Sequence, residues 1–107
     1  MRESKIEKYL RAEVAKLGGW MEKHVSPGTR GPPDNDVMWP RDFIHSPIWN
    51  EWNFFEFIEF IETKAPDGKL EVLQKRDHKR RRDMGFQVHV IWTMEQAEIY
   101  LKSRGKK

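Results

Sequence analysis

The chain has 107 residues, 37% of them hydrophobic and 35% charged, with a net charge of +3 and no cysteine; its pI is near 9.3 and its mean hydropathy -0.86. That length suits one domain built around a single thin core, and the lack of cysteine excludes disulfides, thiolate zinc sites and cysteine nucleophiles. No apolar run reaches the length of a membrane span and the start is amphipathic, not signal-like, so a cytosolic or nucleoid-associated protein with no membrane partner is expected.

Ile6, Leu10, Val14 and Leu17 recur at the helical period, which predicts a first helix from about Glu3 to Leu17, ended by Gly18-Gly19. Glu7 and Glu13 flank that apolar stripe and Glu3 lies nearly on its centre line, so each could look towards a sheet under the helix or towards solvent. Trp20 to Val25 reads as a short strand, and the glycines and prolines of Ser26 to Pro33 as a loop. A strand is expected over Asp34-Asn35-Asp36-Val37-Met38-Trp39, where Asp34 and Asp36 would share a face; Asx-turn chemistry after proline is the plainer account of the same acids. Residues 39–55 carry Phe43, Trp49 and Trp52 among prolines and read as an ordered aromatic excursion. It is either a local mini-core or a surface for a second subunit or unpaired bases.

The apolar run from Phe54 to Ile61 continues into Glu62-Thr63-Lys64-Ala65-Pro66, and a strand there places Glu62 and Lys64 on one face. A cation-binding carboxylate beside an ammonium suits phosphodiester hydrolysis, although a solvated strand end has the same composition and Glu3-Ser4-Lys5 repeats the spacing on a helix. After the turn Ala65-Pro66-Asp67-Gly68, a second helix is expected from Leu70 to Met84, with Leu70, Leu73, Asp77 or His78, Arg81 and Met84 inward and Gln74 beside that stripe. Its outward residues Lys75, Arg76, Lys79, Arg80 and Arg82, with Lys69 before it, suit a polyanion such as nucleic acid, or a solvated face. Phe86 to Trp92 is the clearest strand, and Thr93-Met94-Glu95-Gln96 fits a capping box opening a last helix through about Ser103.

A right-handed crossover through the basic helix makes the strands on either side of it parallel, so the chain reads as α/β: a small mixed sheet flanked by helices, in the order α-β-β-β-α-β-α. His24, His45, His78 and His89 show no ligand spacing, so no zinc site is expected and His78 and His89 read as packed or surface residues. Neither a P-loop nor a Gly-x-Ser-x-Gly motif occurs, and no nucleotide cofactor is expected.

Pro33-Asp34 and Glu62-Thr63-Lys64 resemble the two motif positions of the PD-(D/E)xK nuclease superfamily. Within it the chain resembles the VRR-NUC family, through Lys16-Leu17-Gly18-Gly19, Lys23, Ser26-Pro27-Gly28, Gly31-x-Pro33-Asp34, Glu62-x-Lys64-Ala65-Pro66, Gly68-x-Leu70, Leu73-Gln74 and Gly85. The resemblance implies one nuclease domain over residues 1–107 with a restriction-endonuclease-like core and an aromatic insertion at about 39–55. It implies Mg²⁺ or Mn²⁺ held by Asp34, Glu62 and the Thr63 carbonyl, Lys64 as catalytic lysine, and Gln74 bordering the site. Glu7 is the favoured helix-one acid, because it lies mid-helix beside the apolar stripe. Small stand-alone proteins of this kind resemble phage and bacterial endonucleases that cut branched DNA, including Holliday-junction resolvases working as homodimers. A non-catalytic DNA-binding module on the same fold and an endonuclease with flap or duplex preference are the competing expectations. The chain departs from the family in carrying Asn35 where arginine is usual, and in the long 39–55 excursion.

Overall fold

The computed structural model describes residues 3–23, 33–40 and 58–106. They form α1 (Glu3–Lys16), β1 (Trp20–Lys23), β2 (Asn35–Met38), β3 (Ile58–Thr63), α2 (Val72–Asp83), β4 (Gln87–Ile91) and α3 (Met94–Ser103). The four strands make one sheet in the order β1-β2-β3-β4. Its first two pairings are antiparallel, and β3 and β4 run parallel, as the crossover through α2 requires.

β3 has a strand on each side and helices over both faces, so its residues from Glu59 to Thr63 are all buried instead of alternating. The two-residue period nevertheless sorts them: Glu59, Ile61 and Thr63 face α1 and α3, while Phe60 and Glu62 face α2. On the first side Ile6, Leu10 and Val14 of α1 and Ala97, Tyr100 and Leu101 of α3 pack with Met21, Val37, Trp39, Ile61 and Ile91 into the main core. On the other, the Arg81 guanidinium lies over the Phe60 ring at 4.6 Å, and Phe86 meets that ring edge-on at 5.5 Å.

One expectation needs correction and another is resolved. The inward stripe of α2 keeps only part of the expected set: Leu73 and Met84 are 41% and 67% exposed, and its buried residues are Asp77 and His78. The helix lies over a sheet face that presents a carboxylate, and polar partners replace apolar ones there: Arg80 and Arg81 pair with Asp77, and His78 faces Glu62. Trp39, read both as the end of the Asp34 strand and as the start of the aromatic excursion, belongs to the core and is 1% exposed. A Cβ on Gly19 would come within 2.6 Å of its ring, so the bare backbone at Gly19 makes room for it. Residues 41–57 of the excursion, the loop at 24–32 and both His24 and His45 lie outside the described residues.

Beneath Trp39 lies a buried carboxylate. Glu59 Oε2 accepts from Trp39 Nε1 at 2.7 Å, Tyr100 OH at 2.7 Å and Arg104 Nε at 2.9 Å, while Oε1 meets Arg104 Nη2 and, at 3.0 Å, His89 Nε2. Burial pushes the Glu59 carboxyl up, but the bonds and charges of Arg104 and His89 outweigh it and hold its pKa down to about 2. This network fastens β3 to β2, β4 and the end of α3. At the start of α3 the expected cap is present, with Thr93 Oγ1 accepting from Gln96 N at 3.1 Å and Gln96 Oε1 accepting from Trp92 N at 2.7 Å.

Candidate active site

Register brings the acidic residues together. Asn35 pairs with Ile61 across the antiparallel β2–β3 ladder, so one step further Asp34 falls beside Glu62, on the side facing α2. Asp34 Oδ2 accepts from the Thr63 backbone N–H at 3.2 Å and lies 3.3 Å from Thr63 Oγ1. That hydroxyl is also 3.4 Å from Glu7 Oε2, so its single proton serves Asp34 or Glu7 in turn. Lys64 Nζ stands 4.0 Å from Glu62 Oε2. Asp34, Glu62, Thr63, Lys64 and Glu7 therefore converge where β3 ends. Glu13 is drawn elsewhere, to Lys16 at 3.5 Å and Lys106 at 3.4 Å. Gln74 sits in the first turn of α2, and its Oε1 accepts from Glu71 N at 2.9 Å, a capping contact instead of one to the acids.

Glu62 is 1% exposed. Burial raises its carboxyl; the His78 contact and Lys64 work against this and the neighbouring Asp34 charge works with it, for a pKa of about 7. Glu7 has the opposite outcome, because Arg11, Asn35 and Lys23 together outweigh its burial and hold it below the usual carboxylate range. Glu62 Oε1 is buried with no hydrogen-bond partner. Two crowded carboxylates, one of them with a bare buried oxygen, form an environment that a divalent cation would relieve. The all-oxygen donor set of Asp34, Glu62 and the Thr63 carbonyl fits a hard cation. Among the described residues no group of three or more His, Asp or Glu side chains is spaced to hold an ion, so such a cation would keep waters on its remaining positions.

No protein-family model matches the chain. It is 38% identical over 99 residues, covering 92% of this chain and 91% of the other, to the "Putative nuclease p44" of Acyrthosiphon pisum secondary endosymbiont phage 1. A solved VRR_NUC domain superposes with a TM-score of 0.73 at 28% identity, over 94% of each chain. The chain belongs to the VRR-NUC nuclease family.

In this VRR-NUC domain the structure gives contacts at the site to residues for which sequence reasoning assigned no site role. Arg11 bonds Glu7 Oε1 at 3.1 Å and Asn35 Oδ1 at 3.3 Å, and Lys23 Nζ lies 3.6 Å from Glu7 Oε1. Asn35, the departure from the family pattern, is fully buried under α1 and receives a guanidinium instead of supplying one. The signal for Arg11 was its i+4 spacing from Glu7 on one helix. His78 also sits against the site, its Nε2 3.5 Å from Glu62 Oε1; the readable sign was its i+4 step from Gln74.

The basic residues of α2 are not equivalent. Lys69, Lys75, Arg76, Lys79, Arg80 and Arg82 are all exposed. Lys79 is paired with Asp83 at 2.7 Å and Arg80 with Asp77 at 3.1 Å, and Arg82 donates to the Val88 carbonyl at 2.8 Å. Lys75 and Arg76 have no ion pair among the described residues.

Proposed function

We propose that this VRR-NUC domain is a divalent-cation-dependent endonuclease that hydrolyses phosphodiester bonds in branched DNA, four-way junctions foremost, as a cytoplasmic homodimer. The observation that carries this reading is the meeting of Asp34, Glu62 and Lys64 at the end of β3, with the basic surface of α2 on the same side of the sheet. Asp34, Glu62 and the Thr63 carbonyl would hold Mg²⁺ or Mn²⁺, which when bound polarises a phosphoryl oxygen and acidifies water. Lys64 adds positive charge where negative charge grows on the phosphoryl group and orients the attacking water. That water makes the new P–O bond as the leaving oxygen departs, with no covalent enzyme intermediate. Glu7 steadies the Thr63 hydroxyl from α1, Gln74 borders the site from α2, and Lys69, Lys75, Arg76, Lys79, Arg80 and Arg82 draw in the phosphate backbone. Cutting two opposed strands of a junction takes two sites related by a dyad, and one domain supplies one.

The test is a panel of labelled duplex, nicked, flap, splayed and four-way DNA in Mg²⁺ and Mn²⁺, cut by the wild type, K64A and D34N. The four-way substrate should be cut fastest, and each variant should lose roughly 100-fold or more in rate while still binding DNA. Cleavage by either variant at the wild-type rate refutes the site, and faster cutting of a flap or duplex replaces the substrate.

A further inference from the structure

His78 is placed unusually for a helix residue in a chain with so thin a core. It is 1% exposed, on the face of α2 turned to the sheet, and neither ring nitrogen has a hydrogen-bond partner. The atom in front of Nε2 is Glu62 Oε1, 3.5 Å away and equally without a partner. Asp77, the other buried residue of the helix, is already held by Arg80 and Arg81. A buried donor and a buried acceptor facing each other, both unsatisfied, need only a few tenths of an ångström of closure to satisfy one another.

We infer that His78 is a positioning residue for Glu62, its Nε2–H donating to Oε1 so that Oε2, the oxygen beside Lys64, is the one presented to the cation. The inference rests on the reading that Asp34 and Glu62 hold a divalent ion. The terminal torsion of a glutamate is broad, and no hydrogen bond to Oε1 fixes it. With the imidazole in place, one oxygen is committed to α2 and the carboxylate plane is set before the cation arrives; without it, the carboxylate turns and both oxygens compete. Carboxylates that ligate metals are themselves hydrogen-bonded, and loss of such an outer partner weakens the metal without removing a ligand. Leucine at 78 would fill the space and pack the helix, so the polar ring is explained by what it does to Glu62 and not by packing.

Calorimetric titration of Mn²⁺ into the DNA-free protein, for the wild type, H78L and H78Q, tests this. H78L should bind Mn²⁺ about 10- to 100-fold more weakly with a comparable melting temperature, and H78Q, whose amide N–H reaches towards the Nε2 position, should recover most of the loss. Should H78L not fold, H78Q against H78N decides, since the shorter asparagine amide falls short of Oε1 and should bind Mn²⁺ more weakly. Unchanged affinity in H78L, or in H78N where H78L does not fold, overturns the inference and leaves the cation reading intact. Absence of Mn²⁺ binding by the wild type overturns both. A ¹⁴N coupling to bound Mn²⁺ in pulsed EPR that vanishes in H78Q also overturns it, by making His78 a ligand.

Discussion

Glu59→Gln removes one charge from the most heavily bonded carboxylate described in the chain and changes its shape very little. In the wild type, Arg104 and His89 hold Glu59 at about 2, against an ordinary 4.5; that difference corresponds to about 3 kcal/mol favouring the ionised, folded form. The variant also leaves the Arg104 guanidinium, 11% exposed, without its anion, and breaking a buried pair from one side costs about 3 to 5 kcal/mol. The expected loss at pH 7 is therefore about 3 kcal/mol or somewhat more, a large share of the stability of a domain this size. The sign with pH follows from a depressed carboxyl. The stabilisation is complete above the unfolded value near 4.5 and disappears as pH falls through the folded value of about 2. Urea unfolding followed by tryptophan fluorescence from pH 7 to pH 2 should show a wild-type advantage that is flat down to about pH 5 and then shrinks. An advantage below about 1 kcal/mol at pH 7, or one that does not change with pH, would refute the reasoning.

Gly19→Ala should lower stability by about 1 to 3 kcal/mol, because the new methyl meets the Trp39 ring at 2.6 Å and Val14 at 2.9 Å, and thermal melting will show it. Thr93→Ala removes the acceptor for Gln96 N and should cost about 1 kcal/mol in the same assay, with DNA cleavage unaffected. Lys75→Ala and Arg76→Ala should each flatten the dependence of log DNA affinity on log salt by about 0.9 if each meets one phosphate. Lys79→Ala, whose ammonium is occupied by Asp83, should change that slope less; equal slopes for all three would mean the ion pairs seen here do not govern DNA contact.

Much of the fold is legible because local signals agree with one another. The apolar stripe of α1, the cap at Thr93 and the strand at Val88 each follow from a period or an end signal that no tertiary contact overrides. The parallel pairing of β3 with β4 follows from the handedness of a single crossover. α2 was harder because, of the residues its period turns inward, the polar Asp77 and His78 are buried while the apolar Leu73 and Met84 are exposed, and an apolar-period reading ranks them the other way. Trp39 fell in both the expected strand and the expected excursion, because a tryptophan beside a proline looks the same whether it opens a loop or closes a core. What decides it is Gly19 from another element, together with the Glu59 acceptor.

The same division holds at the site. Glu62 and Lys64 share a face because a strand has period two, and the sequence alone determined that. Their company was a tertiary matter. Asp34 reaches Glu62 through the antiparallel register of two strands, Glu7 reaches Thr63 through the packing of α1 on the sheet, and His78 meets Glu62 because α2 crosses the opposite face. Residue type and spacing along one element are written in the chain. Distance between elements depends on register and packing, which arise only when the strands pair and the helices close over them.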